Sequence, residues 1–312
     1  MTESDQTNPN YPSQDDTINL RELFSLLWGG RKLIIIITSV FTLCSLVYAL
    51  SLTNYYKSVS VLNLANAPNE MAALSRYSGL ASMAGISLPS GGAEQQGTII
   101  LNTIVSRVFL KHLLSFEDIL PSIMAVKSYD SESKKLVFNS NIYDAANKQW
   151  LQAKPSYIET YDVYRGLVEV IYDWSVGIIS VTVEHKSPIF AKEFLDLIIR
   201  ETDALIRQKD LQQSSDAIEY LVSELSKTSL IDMKNSINQM VRSQLETQMM
   251  AQISTDYVLK IIEPPFIPEK KSKPNRSFFV VLGTILGLVL GIVLILTRHY
   301  YVLNATEQAS RP

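Results

Sequence analysis

Residues 187–229 read SPIFAKEFLDLIIRETDALIRQKDLQQSSDAIEYLVSELSKTS, and this stretch decides how the chain is built. Ser187 is a good N-cap and Pro188 a good first helical residue. Nothing then interrupts the pattern until about Lys227-Thr228, which predicts a helix of roughly 58 Å. Apolar residues are dense at Phe190, Phe194, Leu197 and Ile198, and again at Ile218, Leu221, Val222 and Leu225. Between them, RQKDLQQSSD (207–216) holds a single apolar residue. A helix so polar cannot enter a core there, so this part is expected to project into water or lie against other polar helices. A second helix is expected from Leu230 to about Ile253. Its Leu230, Met233, Ile237, Met240 and Val241 recur near the coiled-coil spacing of 3.5. Helix, break and returning helix make a hairpin, an arm over residues 188–255.

Outward from the arm, both flanks read as strands. GLVEVIYDWSVGIISVTVEH (166–185) holds two β-rich runs around a glycine-containing loop, a hairpin. Ile179, Val181 and Val183 alternate with Ser180, Thr182 and Glu184, so one face is buried. YVLKIIEP (257–264) is a strand after the arm. YKSVSVLNLA (56–65) is another, and LVFN (136–139) a short one. Pairing 56–65 with 257–263 would close an α/β base, with Val61 near Ile261. Residues 97–114 carry helical periodicity, and 78–92 (SGLASMAGISLPSGG) read as a loop around a short turn. No Lys-Ser/Thr pair follows it, so it is not a phosphate cradle.

Further out, LIIIITSVFTLCSLVYALSL (33–52) and SFFVVLGTILGLVLGIVLILT (277–297) carry no charge. Each is long enough to cross a bilayer of ~30 Å. The first begins after 32 residues and shows no small-residue cleavage site, so it reads as a retained span. Arg31-Lys32 abuts that span, which points to cytoplasmic termini. The expected organisation is a cytoplasmic tail with a short amphipathic helix (1–32), transmembrane helix one (33–52) and an α/β base (53–187). The arm (188–255), a base strand with a Pro/Lys-rich tether (256–276), transmembrane helix two (277–297) and a cytoplasmic tail (298–312) complete it. Residues 1–16 read as disordered. Leu20, Leu23, Phe24 and Leu27 sit at helical spacing, and Trp28 stands where an interfacial aromatic would. The fold class is therefore an α+β membrane protein: two transmembrane helices flank an α/β base with a long projecting helical hairpin.

The chain has 28 Lys+Arg against 31 Asp+Glu, a net charge of −3 that implies no nucleic-acid partner. Cys44 is the lone cysteine, inside the first span, so a disulfide framework and a cysteine metal site are excluded. HExxH, GxSxG and GxxxxGK[ST] are all missing. His112 and His185 fall on different elements. No catalytic, cofactor-binding or metal-ligating residue is expected, and the chain reads as a non-enzyme. Tyr157, Tyr161 and Tyr164 cluster before the hairpin, as core fillers or as a platform for a sugar.

Two stretches near the second span invite a role. Pro264, Pro265, Pro268 and Pro274 favour extended geometry and make a stiff tether. Lys270, Lys271, Lys273 and Arg276 would meet lipid phosphates or a diphosphate lipid carrier. Gly283, Gly287 and Gly291 lie on one helix face, where small residues let another helix approach, either span one or a neighbouring subunit. On the arm, Gln208, Gln212, Gln213 and Asp216 are the candidate contacts for a second subunit or a glycan.

INLRELFSLLWGGRK, the hairpin into VEHKSPIFAKEF, the arm ending YLVSELSKTS, LETQMMAQISTDYVLKIIEPP and the final Pro/Lys run into LGTILGLVLG occur in this order. Together they resemble the Wzz-type polysaccharide co-polymerases, the O-antigen chain-length determinants, over roughly residues 17–300. The resemblance implies a bacterial inner-membrane protein with a periplasmic domain, assembled as a homo-oligomeric ring. It further implies work with a Wzy-type polymerase on an undecaprenyl-diphosphate-linked glycan, whose length it sets without catalysis of its own. The arm looks short for the larger members, and no nucleotide motif of the kinase-fused relatives is present. An export or capsule-assembly relative of the same architecture and a two-span periplasmic sensor are the rival readings. The 15 residues after Thr297 leave a sensor no output module.

Overall fold

In the computed structural model, residues 20–65 and 92–309 are described. The expectations for 1–16 and for most of 78–92 lie outside the described residues, as do the side chains of the pre-span helix. The chain divides into two units: one holds the two terminal helices, the other residues 53–273. It is an α+β protein whose terminal helices are long and apolar enough to cross a membrane, with Trp28–Ser51 and Arg276–Arg298 as the qualifying windows. Those helices are α1 (Leu20–Ser51) and α8 (Arg276–Ala309). The amphipathic helix and first span expected separately are one uninterrupted helix. The expected tail after Thr297 continues α8.

The second unit is built on a four-stranded antiparallel sheet in the order β6-β7-β1-β8: β6 Val168–Asp173, β7 Ile178–His185, β1 Tyr56–Leu64 and β8 Leu259–Glu263. The β6–β7 hairpin turns through Gly177 at φ 70°, left-handed backbone that glycine adopts without strain. β1 brings the two ends of the unit together by pairing with both β7 and β8. Its register against β8 sets Leu62 opposite Ile261 and Val61 opposite Glu263, with a bulge between. The expected pairing of these strands thus exists, and the bulge at Ile262 moves the partner of Ile261 by one residue from Val61. Leu62, Ile179, Val181, Val183 and Val168 face a core completed by Phe190, Phe194, Leu195 and Ile198.

The helical run expected over 97–114 is two helices, α2 (Gly92–Ile104) and α3 (Arg107–Leu113). Ser106 interrupts it by taking the N-cap role, its hydroxyl accepting from Phe109 N–H at 3.0 Å. The carbonyls freed at the break find donors on α5 (Tyr157–Leu167). Tyr164 Oη donates to Ile104 O at 2.7 Å and Tyr161 Oη to Val105 O at 2.8 Å. Two of the three tyrosines are thereby spent on structure. Tyr157 stays exposed, with Lys111 over its ring. A short helix α4 (Ile119–Met124) and two small ribbons, β2 (Val126–Asp130) with β3 (Lys135–Phe138) and β4 (Tyr143–Asp144) with β5 (Gln149–Trp150), complete this end.

The proline-rich stretch, expected as a stiff tether, is docked on the sheet. It runs on along β1 after β8 ends, with Pro265 and Pro268 buried. Prolines cannot donate to a ladder, and serine hydroxyls of β1 supply donors to the neighbouring carbonyls instead. Ser60 Oγ donates to Glu263 O and Ser58 Oγ to Phe266 O, each at 2.7 Å, and both serines are fully buried. Tyr55 N–H donates to Lys273 O at 2.9 Å and Ser272 N–H to Tyr55 O at 2.8 Å, closing the segment. Ser58→Ala or Ser60→Ala removes a partly buried hydrogen bond to a carbonyl and is expected to cost about 1 kcal/mol each. Urea unfolding of the full chain in detergent, against the parent, checks this; an unchanged midpoint for both would mean that the segment is not held by these bonds.

Candidate functional site

The terminal helices pack through the glycine stripe. A Cβ added at Gly283 would run into the Ser45 side chain. One at Gly287 would lie 2.7 Å from Phe41 Cβ and 3.0 Å from Thr38 Cα, and one at Gly291 3.2 Å from Ile34 Cα. The occupant of the stripe is therefore α1 of the same chain. Polar side chains stitch the seam between otherwise apolar surfaces: Thr42 and Thr284 hydroxyls lie 3.1 Å apart, and Ser45 Oγ donates to Phe279 O at 2.5 Å. In lipid, where apolar helices have no solvent to escape, such close approach and hydrogen bonding are what hold a pair together. Cys44 is exposed on α1.

Of the basic cluster, Lys270 and Lys271 are exposed, whereas Lys273 is engaged within its own unit. Its Nζ donates to Glu184 Oε2 at 2.6 Å, while Ser272 Oγ donates to Glu184 Oε1 at 2.5 Å. The Glu184 carboxylate holds the Lys273 ammonium above its usual pKa, favouring the charged form. Pro264 is exposed, Pro274 half-buried, and Arg276 opens α8.

The arm consists of α6 (Pro188–Lys227), capped by Ser187 with Pro188 in the first turn, and α7 (Ile231–Ile253), joined at Thr228. The lower half of α6 supplies the core with Phe190, Phe194, Leu195, Leu197, Ile198 and Ile206. Above it only Ser214 is buried. On α7 the expected heptad stripe divides. Ile237 is buried and Val241 half-buried, but Leu230, Met233 and Met240 are exposed, because the face turned to α6 continues through small and polar residues to Ala251. Several apolar side chains are therefore left uncovered: Tyr220 and Val222 on α6, and Ile231, Met240, Met249 and Ile253 on α7, the last 73% exposed.

The polar stretch 207–216 meets its expectation, facing water on one side and lying against polar α7 and the turn after it on the other. Its outward side is exposed and carries Gln208, Gln212, Gln213 and Asp216, with Gln212 Nε2 donating to Asp216 Oδ1 at 2.8 Å. Its inward side is docked. Arg207 Nη1 donates to Ala251 O at 3.2 Å and Ser254 O at 2.8 Å, and Nη2 to Asp203 Oδ2 at 2.8 Å and Thr255 O at 2.9 Å. Asp203 Oδ1 accepts from Tyr257 N–H at 3.0 Å and Val258 N–H at 2.8 Å. Tyr257 Oη donates to Asp210 Oδ2 at 2.9 Å. Burial, and then the Asp210 carboxylate, push the Tyr257 hydroxyl above its usual pKa. Periodicity alone hides this cluster, since a polar residue on a helix reads as solvated. The i,i+4 pairing of Asp203 and Arg207 beside apolar Ile206 was the available signal.

His185 sits in the core. Its Nε2 is 3.0 Å from Ser122 O, its Nδ1 accepts from Ser187 N–H at 3.1 Å, and Phe190 packs 4.5 Å from its ring. His112 pairs with Glu201 at 2.9 Å. Among the described residues no three His, Cys, Asp or Glu side chains gather as a metal site would require.

Residues 16–114 match the family model of Wzz, described as the chain length determinant protein. The sequence resemblance to that family is thus supported over the first span, β1 and the helices up to Leu114. No curated protein matches the sequence significantly. One solved structure with a similar chain course is a full-length bacterial polysaccharide co-polymerase. It is 12% identical, with 93% of this chain and 99% of that chain covered and a TM-score of 0.42.

Proposed function

From a stretch of chain-length-determinant sequence that runs through the first span into the base, we propose that this protein is a polysaccharide co-polymerase that regulates how long a glycan grows. The match of residues 16–114 to that family carries the reading. In this reading the chain is an inner-membrane protein with both termini in the cytoplasm and residues 53–273 in the periplasm. The glycan is the lipopolysaccharide O-antigen, built by a Wzy-type polymerase on an undecaprenyl diphosphate. The protein acts without catalysis, as an oligomeric scaffold.

Supporting the scaffold role are the apolar side chains left uncovered on the arm. Such side chains in solvent are places of association, and other copies of the chain are their partners here. The glycine seam is already filled by α1, which leaves the arm and base to make the contacts between subunits. Gln208, Gln212, Gln213 and Asp216, exposed on the arm, face either the neighbouring arm or the glycan.

The test is a silver-stained gel of lipopolysaccharide from a strain lacking the gene and from the same strain complemented. The expected result is loss of a modal ladder, random short chains in its place, and return of the mode on complementation. An unchanged ladder would overturn the O-antigen assignment, and secreted polymer size would then decide for a capsule or exopolysaccharide system.

A further inference from the structure

The geometry points to Arg207 as the positioning residue that fixes the direction of the arm and, given the length-regulating reading above, the length at which the glycan stops. α6 is one helix, so its lower half is fixed by the core, while among the described residues its upper half has α7 beside it. At the root, α7 is held by the packing of Ala251 and by the Arg207 guanidinium. Arg207 binds the carbonyls of Ala251, Ser254 and Thr255, which are the end of α7 and the turn that follows it. A helix C-terminus leaves such carbonyls without intrahelical partners, and the planar five-donor guanidinium can serve several at once. Asp203 orients the guanidinium from one turn below and with its other oxygen holds the N–H groups of Tyr257 and Val258. Asp210, one turn above, takes the Tyr257 hydroxyl. Three consecutive turns of α6 therefore grip the one segment that links the arm to β8.

The place of this grip gives it leverage. From Arg207 to Lys227 the helix rises roughly 30 Å, so a tilt of about 10° at the root displaces the tip by about 5 Å. A scaffold that acts through the position of its arms reads such a displacement directly. Asp203 and Asp210 are polar groups in a stretch that otherwise faces solvent. Their engagement explains why charge is placed there and not the leucine a simple helix seam would carry.

The experiment uses the full chain in lipid nanodiscs with Cys44 replaced by serine. Spin labels go on cysteines at Asp162, exposed on α5, and Glu219, exposed on the upper arm, and labelled chain is diluted with unlabelled. The parent should give one narrow distance distribution. Arg207→Ala should broaden it about twofold by the leverage above, and Arg207→Lys, which keeps the charge but reaches fewer carbonyls, should fall between. Lys209→Ala, exposed two residues further on, should leave it unchanged. In the complemented strain, Arg207→Ala should shift or broaden the modal length while a mode persists, and Arg207→Lys should move it back toward the parent. Loss of the mode altogether is what an unfolded protein would give, and in that case the lysine variant's distance distribution decides. An unbroadened distribution for Arg207→Ala, or for Arg207→Lys when the alanine variant does not fold, overturns the grip. Broadening without any change of mode, in a strain where the parent imposes one, overturns the link to length. A parent that imposes no mode refutes the functional reading instead, and the distances alone then judge the grip.

Discussion

Leucine at positions 283, 287 and 291 together is expected to drive α1 and α8 apart. Each side chain would have to occupy space already held by Ser45, by Phe41 and Thr38, or by Ile34. Overpacking of this kind costs about 1–3 kcal/mol per site, and it would also break the Thr42–Thr284 and Ser45–Phe279 hydrogen bonds. The contacts grade the single changes. Alanine at Gly291 meets Ile34 Cα at 3.2 Å and should be absorbed by a small shift, whereas at Gly287 it meets the backbone of Thr38 at 3.0 Å and Phe41 Cβ at 2.7 Å. The check is a disulfide between cysteines at Thr42 and Thr284 in a Cys44→Ser background. It should form readily in the parent and at least about tenfold less in the triple leucine variant, the factor that 1.4 kcal/mol already gives. Equal crosslinking would show that the helices meet without the stripe.

Acid is expected to weaken residues 53–273 through His185. Burial, as the largest cause, holds its folded pKa down at about 4, against 6.5 for the free side chain. Lys186 beside it lowers it further, while the bond to the Ser122 carbonyl raises it. Between those two values the unfolded chain binds a proton that the folded one refuses. The contribution is therefore complete above about pH 6.5 and is lost as pH falls toward 4, by roughly 3 kcal/mol in all. His185→Gln keeps a donor for Ser122 O but has nothing to titrate. Urea midpoints of the full chain in detergent at pH 7 and pH 4.5 should differ markedly more for the parent than for this variant. Equal differences would mean that the carboxylates alone carry the acid response.

Much of this architecture is legible in the residues because the signals are local. Ser187-Pro188 starts the long helix where capping chemistry says it should. Twenty-odd uncharged residues can only be a span or a deeply buried core, and the alternation through Ile179, Val181 and Val183 is a buried strand face. What escaped was set by partners distant in sequence. The break at Ser106 is held by tyrosines about 60 residues away, which no window over 97–114 contains. The stripe on α7 reads as a single seam, yet Leu230, Met233 and Met240 face outward. A period of 3.5 identifies a face and not which face is covered. The tether reads as a stiff extended spacer because prolines refuse a ladder, and only the register of β1 reveals that Ser58 and Ser60 supply the donors in their place. The root of the arm escaped for the same reason: Arg207 finds its acceptors at the far end of a hairpin, some 44 residues on.

That proline-lined segment also guards an edge of the sheet. A sheet with a free edge is a template on which the strand of another molecule can grow. Beyond Glu263 the edge next to β1 runs through Pro264, Pro265 and Pro268, which have no amide hydrogen to offer an incoming strand. The carbonyls of Glu263 and Phe266 are already taken from the β1 side. Along this border the sheet therefore offers no template for another strand.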